Sequence, residues 1–303
     1  MKNNQYGWLI VNQFLRTDKF NEIYEWLLNA AEKVGCKLDR KTNAEILSCL
    51  HDGTLIGLQQ TDRQPDFILF WDKDIRLAQT LEGLGFRLYN CADAIAACDD
   101  KSLTFSRLTT LKNTYDIPMP ETISAPMTYA NIGYHGDYTF LNEIEEKLSY
   151  PMVMKECFGS FGAQVYMAKN RKEAEKILEQ CGGKPLIFQK FIESSLGRDL
   201  RLEVVGERVV ATMLRTHDSD FRANITNGGH MSSYTPSVEA YTLAVNVCRT
   251  LKLDFAGVDL LFGEHDEPIL CEVNSNAHFK NIYTCTGVNA AELIMEHIVS
   301  QNT

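Results

Sequence analysis

The sequence predicts an α/β protein: a small N-terminal parallel α/β domain followed by two α+β lobes. Three observations carry that expectation. At 303 residues the chain is long enough for about two domains and a sizeable core, at roughly 150 residues per domain. Over the first ninety residues, short apolar runs alternate with segments of helical period, the pattern of strands joined by crossover helices. Beyond Cys91 the character changes, and Pro118 and Pro120 mark a crossing into glycine-punctuated strands. The expected divisions are 1–92, 93–192 and 193–303.

Within the first unit, "YGWLIVN" (6–12) is a short apolar strand. Helical spacing follows over 18–38, with Phe20, Ile23, Trp26, Leu27 and Ala30 near one face and Gly35 as a stop. "PDFILFWDKD" (65–74) is a second strand that ends in polar residues, 75–85 a second helix, and "FRLYN" a third strand. Helical spacing then runs from Ser102 to Asn113.

In the second half, "YPMVMKECFGSFGAQVYMA" (150–168) reads as strand, glycine loop, strand, and 171–183 as a solvent-faced helix ended by glycine. "PLIFQKFI" is a strand, and "DLRLEVVGERVVATMLR" is two strands turning at Gly206. The stripe Tyr241, Ala244, Val245, Cys248 and Leu251 predicts an amphipathic helix over 240–253. "FAGVDLLF" and "EPILCEV" are the last strands, before a closing helix near 287–300.

Composition narrows the function classes. With 45% hydrophobic and 23% charged residues, the chain is not of disordered type. A formal charge of −10, with no offsetting Lys/Arg run, argues against nucleic acid as a partner, though not against a local nucleotide site. No apolar run reaches the ~20 residues of a membrane span. The N-terminus carries one Lys and too short an apolar stretch for a secretory signal. We therefore expect a soluble, cytoplasmic protein without a membrane partner. The nine cysteines are dispersed, with no C-x-x-C pair, which argues against a disulfide framework and a cysteine zinc site.

Residues that carry chemistry cluster late in the chain. On a strand, residues i and i+2 share a face, so "CEVNSNAHF" (271–279) sends Glu272, Asn274 and Asn276 to one side. Asp259, on the preceding strand, converges with them if "GEHDE" joins an antiparallel pair. Oxygen donors without thiolate or clustered imidazole suit a hard ion such as Mg²⁺. Taken alone, Asp259, Glu272 and Asn274 read equally well as a solvated strand end.

"KECFGSFGAQV" adds Lys155 and a loop with Gly159, Ser160 and Gly162, whose backbone N–H groups can approach phosphate oxygens closely. It is neither a P-loop nor a dinucleotide fingerprint, and a plain hairpin turn is the alternative. Lys101 in "DDKSLTFSRL" is either a second phosphate contact or a charged helix start. Asp199 and Arg201 share a strand face, and Arg215, Arg222 and Asn224 follow. Guanidinium groups bind carboxylate and phosphate bidentately, whereas a single surface pair contributes little.

The order Lys101, Lys155 with its glycine loop, "FQKFI", "DLR", "FRAN", "GVD", "EVN" resembles the ATP-grasp superfamily. Within it, the chain is similar to the RimK-type ligases that join an amino acid to a carboxyl group. The resemblance runs from about Cys91 to the C-terminus; the first ninety residues share only a general pattern. It implies an α+β ATP-grasp fold whose two lobes clasp the nucleotide. It also implies that Lys101 and Lys155 contact ATP phosphates, that the backbone of Gln189, Lys190, Phe191 and Ile192 hydrogen-bonds adenine, and that Asp199 contacts the nucleotide. Arg222 and Asn224 would reach phosphate or an acyl phosphate. Asp259, Glu272 and Asn274 would hold one or two Mg²⁺ or Mn²⁺ ions, and Arg201 and Arg215 would grip a carboxylate substrate. The implied partners are a carboxylate and an amine, the latter an amino acid or peptide, with a homodimer or homotetramer typical of relatives.

The chain departs from that pattern at Gln164, where relatives often have glycine, and at "NSNAHF", where they commonly show a Ser-Pro-Gly-Phe-like stretch. Asn276 and His278 are therefore candidates to line the acceptor pocket, with a surface-loop role the alternative for His278. Amide formation would proceed by γ-phosphoryl transfer to the carboxylate and amine attack on the acyl phosphate. That chemistry asks for positioning and charge neutralisation rather than a side-chain nucleophile. Closure of the glycine loop would exclude water. An ATP-grasp small-molecule kinase and a non-catalytic nucleotide-binding module are the alternative readings. The retained Lys155, Arg222, Asp259, Glu272 and Asn274 argue against the second.

Overall fold

A computed structural model describes residues 5–57, 63–110, 115–159, 162–225 and 228–302 of the chain. The N-terminal unit contains β1 (Tyr6–Val11), α1 (Asp18–Lys33), β2 (Lys37–Thr42), a small ribbon of β3 (Leu47–Ser48) and β4 (Leu55–Ile56), β5 (Phe67–Trp71), α2 (Ile75–Gly83) and β6 (Leu88–Tyr89). Its sheet has the order β2-β1-β5-β6, with every pairing parallel. All six residues of β1 and all five of β5 are buried, which accounts for continuous apolar runs rather than alternation.

Helix α1 ends at Lys33 and Gly35, the expected stop, turns the chain at φ +73; Lys37 and Leu38, at the end of the stretch of helical spacing, already belong to β2. The second helix ends at Gly83, and the third strand shrinks to Leu88–Tyr89.

Helices α3 (Ala92–Asp99) and α4 (Lys101–Thr110) lead into the second sheet; the expected extension of the latter helix to Asn113 lies outside the described residues. This sheet combines β7 (Thr122–Ser124), β8 (Met152–Glu156), β9 (Val165–Ala168) and β10 (Leu186–Lys190) in the order β7-β10-β8-β9, all antiparallel. Helices α5 (Leu141–Leu148) and α6 (Arg171–Cys181) cover it, packing Leu141, Ile144, Ile177 and Leu178 on Met152, Met154 and Phe188. The Asn170 side chain caps α6 by accepting from Glu173 N–H, a local signal of the helix start.

The third sheet runs β13-β12-β11-β14-β15: β11 (Arg198–Val205), β12 (Arg208–Thr216), β13 (His230–Ser233), β14 (Phe255–Phe262) and β15 (Pro268–Asn274). Leu200, Leu202 and Val204 pack with α7 (Val238–Thr250). The alternate residues Asp199, Arg201 and Glu203 necessarily take the other face. Helices α8 (Lys280–Thr286) and α9 (Ala290–Gln301) close the chain. Ile294, Met295 and Ile298 of α9 join Ile23 and Leu27 of α1 and Phe255 of β14 in one core. Among the described residues, no helix is long and apolar enough to cross a membrane.

Candidate active site

Asp259 and Glu272 are direct partners across β14 and β15. A bulge just beyond them, where Leu260 pairs with Leu270, leaves Cys271 unmatched and re-aims the strand end, as such insertions do. Asn274, opposite Gly257, continues the Glu272 face. On its other side, Asp259 faces Arg201 of β11.

The Asp259 carboxylate accepts from Arg201 Nε and, at 2.7 Å, from Arg201 Nη2. Arg215 Nη2 lies 3.0 Å from Asp259 Oδ1. Arg215 also binds Asp199 in bidentate fashion, at 2.6 and 2.9 Å. All four charged groups are buried deeply enough that each needs the others. Burial would raise the Asp259 carboxyl, but the guanidinium groups of Arg201 and Arg215 outweigh it and hold it below its ordinary range. For Asp199 burial wins over Arg215, and its carboxyl is raised. Arg201 and Arg215, expected to grip a carboxylate substrate, are here counter-ions of Asp259 and Asp199.

Lys101, at the start of α4, donates from Nζ to the Gly159 carbonyl at 3.2 Å and lies 3.4 Å from Glu272 Oε1. Lys155 on β8 is buried, its Nζ 3.7 Å from Cys271 Sγ. Gly162 adopts φ +73, and a Cβ there would lie 2.6 Å from Asn224 Oδ1, so only glycine fits without strain. Arg222 donates from Nη1 to the Gly162 carbonyl at 2.8 Å and pairs with Asp220 at 2.7 Å. Ser160 lies outside the described residues. In the Gln189–Ile192 segment, Lys190 N–H donates to Glu121 O at 2.9 Å and Ile192 O accepts from Ser195 N–H at 3.1 Å. Gln189 lies between Val153 of β8 and Thr122 of β7 in the sheet, so its backbone too is taken by the protein itself, which narrows the hinge to the Lys190 carbonyl, Phe191 and the Ile192 N–H.

Two clefts meet at the carboxylates. The first is lined by Lys155, Gly162, Gln189, Lys190, Phe191, Ile192, Asp199 and Arg222. The second lies against the N-terminal unit and is lined by Lys19, Phe20, Trp71, Lys73, Arg201, Asn274, Asn276 and His278. Arg215, Asn224, Asp259 and Glu272 line both. Sequence reasoning missed Lys19, Phe20, Trp71 and Lys73; the polar end of the 65–74 strand was the available signal for Lys73. His278 does line the second cleft. Its Nε2 is 3.2 Å from Lys19 O, and burial lowers its pKa. Asn276 donates from Nδ2 to Asp72 O at 3.0 Å, tying the loop after β15 to the N-terminal unit.

No group of three or more His, Cys, Asp or Glu residues able to hold a metal occurs among the described residues. The donor set is two carboxylates and one amide, all oxygen, which fits a hard cation that keeps water and substrate oxygens as its remaining ligands.

Residues 100–298 match the family model described as the RimK-like ATP-grasp domain. The chain is 30% identical over 253 residues to an uncharacterized protein of Mycoplasma pneumoniae, the MG012 homolog, covering 83% of this chain and 84% of that protein. It is also 30% identical over 269 residues to human N-acetylaspartylglutamate synthase A, covering 88% of this chain and 64% of the synthase, less than two thirds of its length. The fold is similar to that of a RimK domain ATP-grasp protein from Sphaerobacter thermophilus, with a TM-score of 0.71, 19% identity, and coverage of 97% of this chain and 98% of that one.

Proposed function

Because the chain belongs to the RimK-like ATP-grasp family of ATP-dependent carboxylate–amine ligases, we propose that it takes ATP in the first cleft and joins a carboxylate to an amino acid in the second. One observation carries this reading: Asp259 and Glu272 face each other and border both clefts. Phosphoryl transfer requires donor and acceptor oxygens to meet across such a boundary.

In this reading Lys101 and Lys155 place positive charge along the phosphates, and Arg222 and Asn224 hold the glycine loop over them. Open backbone groups of Lys190 to Ile192 receive adenine, and Asp199 keeps Arg215 oriented at the nucleotide's edge. Asp259, Glu272 and Asn274 would hold Mg²⁺, in one or two ions, which when bound neutralises charge developing on the transferred phosphoryl group. Arg201 and Arg215 then present guanidinium groups to the carboxylate and its acyl phosphate. Gly162, held by Arg222 and set against Asn224, helps keep water from that intermediate.

For the amine we propose an acidic amino acid such as glutamate. The second cleft carries Lys19 and Arg201 beside Lys73 and Arg215, the latter two paired with Asp99 and Asp199, and the human relative is named for a glutamate product. Once Asp259 is occupied by a divalent cation, Arg201 is released from its carboxylate and with Lys19 favours an anionic substrate.

The test is ADP release by the purified protein with ATP, Mg²⁺, glutamate and a carboxylate pool, read together with product mass. Release that needs both carboxylate and amine, with a product equal to their sum less water, supports the ligase. Release with a hydroxyl compound alone favours a kinase, and nucleotide binding without turnover favours a binding module. Sedimentation velocity tests the homodimer or homotetramer.

A further inference from the structure

The cleft face of β11 carries a third charged residue that the roles above leave unused. Glu203 lies two positions beyond Arg201 and is only 2% exposed. It forms no hydrogen bond with any described residue. Its cross-strand neighbours are Ala211 on β12 and Gly257 on β14, neither of which offers it a polar side chain. Arg201 crosses that same Gly257, where a Cβ would stand 3.1 Å from Arg201 Nη1. Nε and Nη2 of Arg201 are engaged by Asp259, whereas Nη1 donates to no described residue. The carboxylate of a buried residue and a partly buried guanidinium N–H therefore flank one glycine, neither hydrogen-bonded to a described residue and neither wholly sealed from solvent. Burial pushes the Glu203 carboxyl up to about 7 although Arg201 pulls it down, as expected for an acid with a cation near but not bonded.

An ionised group buried without a partner is costly. When Asp259 turns to a divalent cation, Arg201 loses its carboxylate and faces a like charge. We propose that Glu203 is a positioning residue that receives Arg201 Nη1 as Asp259 engages the cation carried with the nucleotide, holding the guanidinium aimed into the second cleft. This rests on the assignment of Asp259 as a cation ligand.

The test is calorimetric binding of a non-hydrolysable ATP analogue to the full chain, with Mn²⁺ and with a chelator. Wild type should bind more tightly with Mn²⁺. Glu203→Gln should reduce that metal-dependent gain about tenfold, leaving metal-free binding unchanged. In an Arg201→Lys background, which lacks Nη1, Glu203→Gln should cost nothing further, as expected of coupled partners. Equal gain in wild type and Glu203→Gln, or equal loss with and without metal, overturns the hand-off alone. Failure of Glu203→Gln to fold also overturns it, because the carboxylate would then be needed before any cation arrives. No gain from Mn²⁺ in wild type overturns the Asp259 assignment, and the hand-off with it.

Discussion

Arg222 Nη1 donates to the Gly162 carbonyl at 2.8 Å, joining the segment after β12 to the glycine loop across sixty positions of sequence. The loop between β8 and β9 is thereby held from the opposite lobe. Arg222→Ala should free it, raising the KM for ATP about tenfold with a smaller fall in kcat, and speeding proteolysis between residues 156 and 165. Steady-state kinetics and limited digestion check this; an unchanged KM would remove Arg222 from the loop's control.

Gly162→Ala introduces a methyl 2.6 Å from Asn224 Oδ1 at φ +73. Left-handed strain of roughly 1 kcal/mol adds to the displacement of Asn224. We expect kcat/KM for ATP to drop at least tenfold while circular dichroism is unchanged. Asn224→Ala should itself lower kcat/KM, and Gly162→Ala should cost less in that background than in wild type, as expected of residues in contact.

Glu272 and Asp259 should separate under substitution. Glu272 is partly exposed and faces Lys101 at 3.4 Å, so Glu272→Gln should lower kcat more than tenfold, about 1.4 kcal/mol of barrier, with little change in Tm. Asp259→Asn leaves Arg201 and Arg215 facing a neutral amide and should also destabilise the fold by about 3 kcal/mol. Thermal melts beside the kinetics distinguish the two. Equal melting temperatures would mean that the buried cations find other partners.

Glu203 sets a pH dependence of stability. Its carboxyl is raised from about 4.5 to about 7 by burial, so between those values the folded protein binds more protons than the unfolded chain. Its contribution is fully present below about 4.5 and is lost as pH rises through 7. Glu203→Gln removes that slope, and should gain more in Tm over wild type at pH 8 than at pH 5. Melting curves at the two pH values give the comparison.

Much of the site was legible because its residues fall on strands whose two-residue period is plain: Asp199 and Arg201 on β11, Glu272 and Asn274 on β15. Their convergence follows from antiparallel neighbours joined by short turns. What stayed hidden depends on long-range pairing. Nothing local announces that Arg215 lies against Asp199 and Asp259, or that α1 and β5 wall the second cleft. Strand β2, "KLDRKT", buries only Leu38 fully, so no apolar alternation marks it. Helix α5 did carry a signal, Leu141, Ile144 and Leu148 at helical spacing, but it follows a long aromatic loop that obscured its start. Glu203 shares its face with Asp199 and Arg201 by simple period; its burial, not its position, is what sequence could not reveal.

The packing of α9 on α1 has a consequence for synthesis. Ile23 and Leu27, made early, meet Ile294 and Ile298 only when the last helix has left the ribosome. Until then an apolar flank of the first sheet lies open, a state that invites chaperone capture or clumping of nascent chains. Expression of residues 1–92 by themselves should accordingly yield insoluble material, and supplying α9 as a separate peptide should improve its yield.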